Sequence, residues 1–203
     1  MMISTQGNEV LKRLSEIEKY GRSEGVPILQ YDSACVLANI VEELKPKTVL
    51  EIGTAIGYSS LIILLSADCT LTTLEIDEGR EKIAKDNFAT FNVVDRVEPL
   101  LMDAMEYLKT CNKKFDFVFL DGPKGQYIKY LPYIKNCLNS GAVLLCDNVL
   151  FRGLVKSEDK IPHRYRTLVV NLRKFIDTVS KDNDFECNVY DICDGLLVAK
   201  YIK

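Results

Sequence analysis

Histidine is almost absent: His163 is the only one in 203 residues. That count argues against a histidine-bearing zinc site and against a Ser-His-Asp triad, and gives a cysteine nucleophile little choice of base. No apolar run reaches the roughly 18 residues that suggest a membrane span. The polar start, MMISTQGNEVLKRLSE, lacks the apolar core of a signal peptide, so a cytoplasmic chain is expected. No Cys-x-x-C pair occurs among Cys35, Cys69, Cys111, Cys137, Cys146, Cys187 and Cys193. An odd count and scattered spacing read as small buried hydrophobes rather than disulfides or a metal cage. Also missing is the G-x-G-x-x-G fingerprint of dinucleotide oxidoreductases: beyond Gly53, Ala55 and Tyr58 stand where that motif needs glycine.

What is present is an ordinary globular balance, 47% apolar and 27% charged, with no internal repeat or low-complexity tract. One domain over 1–203 is expected. The net charge of −3 is unevenly spread. Residues 151–181 hold eight Lys/Arg against three acids, a balance of +5, which leaves −8 for the rest.

The periodicity predicts a helix over 8–21 from Val10, Leu11, Leu14 and Ile17, closed by Gly21. A second helix over 32–44 has Asp32 or Ser33 as its N-cap and Pro46 beyond its end. From there short β-rich runs alternate with helical stretches. The strands fall at 48–52, 71–76, 97–101, 115–120 and 142–146; the helices fall at 57–66, 78–90, from 103, 126–138 and 164–180. Such alternation means a mostly parallel sheet with helices on both faces. The end differs: 185–190 and 196–201 flank Asp194-Gly195 and read as an antiparallel hairpin.

Two constellations carry chemistry. Glu51-Ile52-Gly53-Thr54-Ala55-Ile56-Gly57 closes the first sheet strand and opens a helix. Gly53 permits a tight turn and close approach to a ligand, and the helix N-terminus offers N–H groups to a carboxylate or phosphate, with Ser59 adding a hydroxyl. Glu75, at the end of the next strand, suits the two hydroxyls of a ribose, and Asp103-Ala104 after the third strand suits an adenine edge. The second constellation is Asp121 after the fourth strand, with Asp147 and Asn148 after the fifth. If those strands are neighbours, their tips lie about 4.8 Å apart and gather two carboxylates and an amide, hard donors suited to Mg²⁺. Lys124, three residues beyond Asp121, is placed to take a proton from a substrate hydroxyl.

Together these motifs resemble the metal-dependent class I O-methyltransferases of the catechol and caffeoyl-CoA type, over about 25–200. E-I-G-T-A-I-G-Y-S at 51–59 is similar to the family's cofactor loop, and D-G-P-K at 121–124 keeps its spacing from metal ligand to lysine. The resemblance implies a Rossmann-like fold with a seven-stranded sheet, S-adenosylmethionine as cofactor, Mg²⁺ or another divalent cation, and a homodimer. It implies cofactor contacts at Glu51, Gly53, Ala55, Gly57, Ser59, Glu75, Asp103, Ala104 and Asp121. Asp121, Asp147 and Asn148 become the metal ligands, Lys124 and Asp121 the catalytic pair, and the helices of 1–46 a cover over the cofactor and substrate.

Within the family the motifs are most similar to those of bacterial enzymes that methylate 5-hydroxyuridine at the tRNA wobble position. D-x-x-K-G-Q-Y at 121–127, D-N-V-L-F-R-G-L-V at 147–155 and the basic stretch that follows carry that likeness. The expected partner is then a tRNA anticodon loop, whose phosphates the basic stretch would meet. The alternative is a small catechol or caffeoyl-CoA-like molecule with adjacent oxygens. Asp191, just before the final hairpin turn, falls where catechol-type enzymes place an acid against the second hydroxyl, or else shapes the turn.

Overall fold

The computed structural model describes residues 3–203. Its elements follow the expected alternation and form a seven-stranded sheet, ordered β3-β2-β1-β4-β5-β7-β6. By internal packing the chain divides into two units, Met1–Ala104 and Met105–Lys203.

In the first unit, α1 (Thr5–Arg13), α2 (Ser15–Ser23) and α3 (Tyr31–Leu44) precede β1 (Thr48–Ile52), α4 (Tyr58–Ser66), β2 (Thr70–Glu75), α5 (Glu78–Thr90) and β3 (Val97–Leu101). β1 pairs with β2 and β2 with β3, both parallel. β1 is buried from Val49 onward and α4 buries eight of its nine residues, so both read as continuous apolar runs rather than amphipathic ones.

The helix expected over 8–21 is two helices. Leu14 leaves the helical region at φ −93°, ψ 4°, and its N–H is shared between Val10 O and Leu11 O. The joint drives the Leu14 side chain fully into the core. Burying a leucine is worth about 1.5–3 kcal/mol, enough to offset one weakened helical hydrogen bond. The N-cap of α3 is Gln30, not Asp32 or Ser33. Asp32 instead lies in the first turn, where its charge meets the positive helix end.

In the second unit, which begins inside α6 (Ala104–Thr110), the elements are β4 (Phe115–Leu120), α7 (Tyr127–Cys137), β5 (Leu138–Cys146), α8 (Arg166–Lys181), β6 (Phe185–Tyr190) and β7 (Leu196–Tyr201). β4 and β5 pair in parallel, while β7 is antiparallel to both β5 and β6. β5 starts four residues earlier than expected. The added stretch is offset from the rest: Phe115 lies opposite Leu138 but Phe117 opposite Val143. Gly141, at φ 81°, supplies the left-handed turn that absorbs the extra residues, and Asn139 Nδ2 donates to Asp116 Oδ1 at 2.7 Å.

All seven cysteines are free thiols. Cys35, Cys69, Cys137 and Cys146 are buried as expected; Cys111 and Cys187 are half-buried and Cys193 is exposed, in a turn at φ 51°. Among the described residues no helix is long and apolar enough to cross a membrane.

Candidate active site

The loop after β1 alternates into the left-handed region: Gly53 at φ 106°, Ala55 at φ 46° and Gly57 at φ 83°. Only glycine fits at Gly57, because a Cβ there would lie 2.8 Å from Phe88 Cε1. Ala55 holds the same region with a side chain, a strained position that its surroundings must enforce. They do so through Glu75. Its carboxylate accepts from Ala55 N at 2.7 Å, Ile76 N at 2.9 Å and Asp77 N at 3.0 Å. A carboxylate offers about four acceptor sites. These three bonds leave room for about one more, and they lash the β1 loop to the end of β2.

Glu51 is fully buried one layer below. It accepts from Ser59 Oγ at 2.6 Å, from Thr73 Oγ1 at 2.6 Å and from Ser60 Oγ. The Ser59 hydroxyl, expected at an anion, is thus committed inward as a donor, and Glu51 serves as a strut beneath the loop. Met102 N donates to Glu75 O at 2.8 Å, which brings the end of β3 and the following Asp103-Ala104 to the tip of β2. Ile76, expected as the last residue of the second strand, lies one step past β2, which ends at Glu75, and 72% of its surface is exposed.

In the second unit, Leu120 of β4 is in register with Cys146 of β5, so Asp121 and Asp147 are the next residues on neighbouring parallel strands. Asp147 N donates to Leu120 O at 3.1 Å. Tyr127, the first residue of α7, clasps the two tips by donating to Leu120 O at 3.0 Å and Asp147 O at 3.2 Å. Its burial, then the charges of Asp121, Cys146 and Asp147, push the phenol well above its ordinary pKa and keep it a donor. The sequence offered Tyr127 only as the end of the D-x-x-K-G-Q-Y motif and as a residue of the helix over 126–138, with no role of its own.

Lys124 Nζ lies 2.5 Å from Asp121 Oδ1, both side chains mostly buried. Burial raises the Asp121 carboxyl, and Lys124 acts against that shift by charge and hydrogen bond. Asp147 is buried, and its Oδ1 accepts from Asn148 N at 2.8 Å. Asn148 itself is left-handed at φ 55°, a conformation asparagine tolerates. No three His, Cys, Asp or Glu side chains converge as a metal cluster among the described residues. The donor set at these tips is a different one, two carboxylates and a carboxamide, and its chemistry fits a hard divalent cation. Asp191 Oδ2 pairs with Lys156 Nζ at 2.5 Å on the surface.

A β-α-alternating parallel sheet closed by an antiparallel pair, with a left-handed loop after β1 and an acid ending β2, defines a Rossmann-like protein of the class I methyltransferase type. The O-methyltransferase family model matches residues 1–202, and the chain belongs to that family: it is an S-adenosylmethionine-dependent O-methyltransferase. A relative is the caffeoyl-CoA O-methyltransferase of Populus kitakamiensis, 28% identical over 95% of this chain and 86% of that protein. The catechol O-methyltransferase of Mycobacterium tuberculosis is 32% identical over 62% of this chain and 58% of its own. The crystal structure of TomG from Streptomyces achromogenes, an O-methyltransferase in complex with S-adenosylmethionine, superposes with a TM-score of 0.84 at 24% identity. It spans 94% of this chain and 89% of TomG.

Proposed function

We propose that this protein methylates a hydroxyl flanked by a second oxygen, with a divalent cation's help, and that its substrate is 5-hydroxyuridine in the wobble position of a tRNA anticodon loop. What carries the chemistry is the pairing of Asp121 with Lys124 beside Asp147 and Asn148 at two hydrogen-bonded strand tips. For adenosylmethionine we assign Gly53, Ala55 and Gly57 of the loop after β1, Glu75 with acceptor capacity left for the ribose, and Asp103 and Ala104 for the adenine.

Asp121, Asp147 and Asn148 would hold the cation, which when bound favours the ionised form of a substrate hydroxyl. Lys124 takes the hydroxyl proton at Nζ, and the oxyanion then attacks the sulfonium methyl carbon in line, the new O–CH3 bond forming as the S–CH3 bond breaks and S-adenosylhomocysteine leaves. Asp121 orients Lys124 through the 2.5 Å contact. Rate comes chiefly from positioning and from the fixed charges around the oxyanion. A 5-hydroxyuracil carries its hydroxyl next to the O4 carbonyl, so it presents the same oxygen pair as a catechol.

Support for RNA comes from the motifs at 121–127 and 147–155 and from the +5 segment, in which Arg152, Arg164, Arg166, Arg173 and Lys174 are exposed. A second reading, a catechol or caffeoyl-CoA-like small molecule, is favoured by the names of the relatives. One experiment separates them. Purified protein, adenosylmethionine and Mg²⁺ are offered tRNA bearing 5-hydroxyuridine, catechol and caffeoyl-CoA in turn. Conversion of the nucleoside to 5-methoxyuridine, lost on adding EDTA, is the expected result. Turnover of the phenols alone would move the assignment to the second reading, and EDTA-resistant turnover would remove the cation. We also propose that the chain works as one catalytic domain, with its N-terminal helices covering the substrates, and as a cytoplasmic homodimer.

A further inference from the structure

The basic charge of 151–181 is not evenly available. Lys156 is paired with Asp191 and Lys181 with Asp177. Arg173 is consumed by the loop itself: its Nε donates to Val155 O at 2.8 Å and its Nη2 to Ser157 O at 2.7 Å and Leu154 O at 3.3 Å. Arg166 Nε donates to Ile161 O at 3.4 Å. Arg152 and Arg164 behave differently. Both are exposed, and neither guanidinium meets a carboxylate among the described residues. Both lie against aromatic rings instead. Arg164 Cζ sits 4.5 Å from the Tyr165 ring centre, and Arg152 Cζ lies 5.8 Å from Tyr165 and 5.7 Å from Phe151. The two rings meet edge-on at 5.3 Å, and Arg152 Nη1 reaches the Tyr165 hydroxyl at 3.4 Å.

Arginine planes and half-exposed rings in one cluster are the surface on which unpaired bases stack, with the guanidinium N–H groups left over for phosphates. The cluster also has a fixed place. Phe151 N donates to Asn148 O at 3.3 Å and Arg152 N to Asp194 Oδ1 at 3.2 Å, so it is tethered directly beyond the Asp147-Asn148 tip. We propose that Arg152, Arg164 and Tyr165 form a platform that stacks a base next to the methylated nucleotide and grips its flanking phosphates. This rests on the RNA reading given above.

The test is steady-state kinetics on a synthetic anticodon stem-loop carrying 5-hydroxyuridine, run across a salt series. Arg152→Ala, Arg164→Ala and Tyr165→Leu are each expected to raise KM for the RNA about tenfold, with kcat within a factor of about two. The two arginine variants should each flatten the dependence of log(kcat/KM) on log salt by about 0.7, the single-strand value per phosphate contact, while Tyr165→Leu leaves that slope unchanged. Tyr165→Phe should restore the RNA KM. A merely structural role would give equal salt slopes for all variants with a common fall in kcat, and that outcome overturns the platform. So does an unchanged RNA KM in the arginine variants when the wild type turns the RNA over. A wild type inert on this RNA but active on catechol refutes the RNA reading itself, a result visible before any variant is made.

Discussion

At the residue scale, the buried carboxylates can be separated by test into one that holds the loop and one proposed to serve the reaction. Glu51 has no exposed surface and gathers three hydroxyls from Ser59, Ser60 and Thr73. Replacing it with alanine strands those donors in the core, so Glu51→Ala is expected to cost about 3 kcal/mol or more of unfolding free energy in urea titration. Glu51→Gln, which keeps one acceptor oxygen, should cost clearly less; equal losses would mean that volume, not hydrogen bonding, governs the site. Asp147→Ala tests reaction rather than support. It should abolish turnover while calorimetry finds adenosylmethionine affinity within about threefold of wild type, because the donor loop belongs to the first unit. The identities of these residues were legible because strand ends and glycine turns mark where a ligand edge must lie. Their directions were not. Whether Ser59 faces a ligand or Glu51 depends on the helix phase after Gly57, which an apolar helix buried nearly all round does not reveal.

At the scale of elements, the strands were the most readable part, since β1, β3, β4, β6 and β7 keep the boundaries that β-rich runs between turn residues imply. The departures have separate causes. Leu14 bends a continuous helical pattern into two helices to reach the core, while β5 gains four residues of which only Leu138 is buried, joined to the rest across a register shift near Gly141 that pattern alone reads as loop. The hairpin turn shows how tightly an element junction can be set. Gly195 stands at φ +89°, and a Cβ there would come within 2.3 Å of Leu150 Cγ. Its carbonyl also accepts from Val149 N at 3.0 Å, and Asp194 O accepts from Leu150 N at 2.8 Å, so the turn braces the segment after Asp147-Asn148. Gly195→Ala therefore carries both a backbone penalty and a clash. An expected loss of about 2–4 kcal/mol follows, with turnover falling at temperatures where the protein is still folded. If the variant melts normally and keeps full activity, the turn does not brace the strand tip.

At the scale of the whole molecule, buried thiols and phenols set a limit in alkali. Burial pushes the Cys69 thiol up to about 11, with Arg96 pulling weakly the other way. It pushes Cys137 up to about 12, helped by Cys111, and raises Cys146, Tyr58 and Tyr127 in the same direction. The sign follows from proton counting. A thiol whose folded pKa exceeds its unfolded value of about 8.5 holds its proton longer in the native state. Its contribution to stability is whole below pH ~8.5 and drains away as pH climbs toward the folded value. Melting followed by circular dichroism should therefore give a level Tm from about pH 7 to 8.5 and a steepening fall between about pH 9 and 11. Alkylation at pH 8 supplies the matching kinetic view. A buried thiol at about 11 is roughly 0.1% thiolate there, so iodoacetamide should modify exposed Cys193 first and spare Cys69 and Cys137 until the fold opens. A Tm that stays level to pH 11, or Cys69 labelled as fast as Cys193, would mean that these thiols are not sealed in the native core.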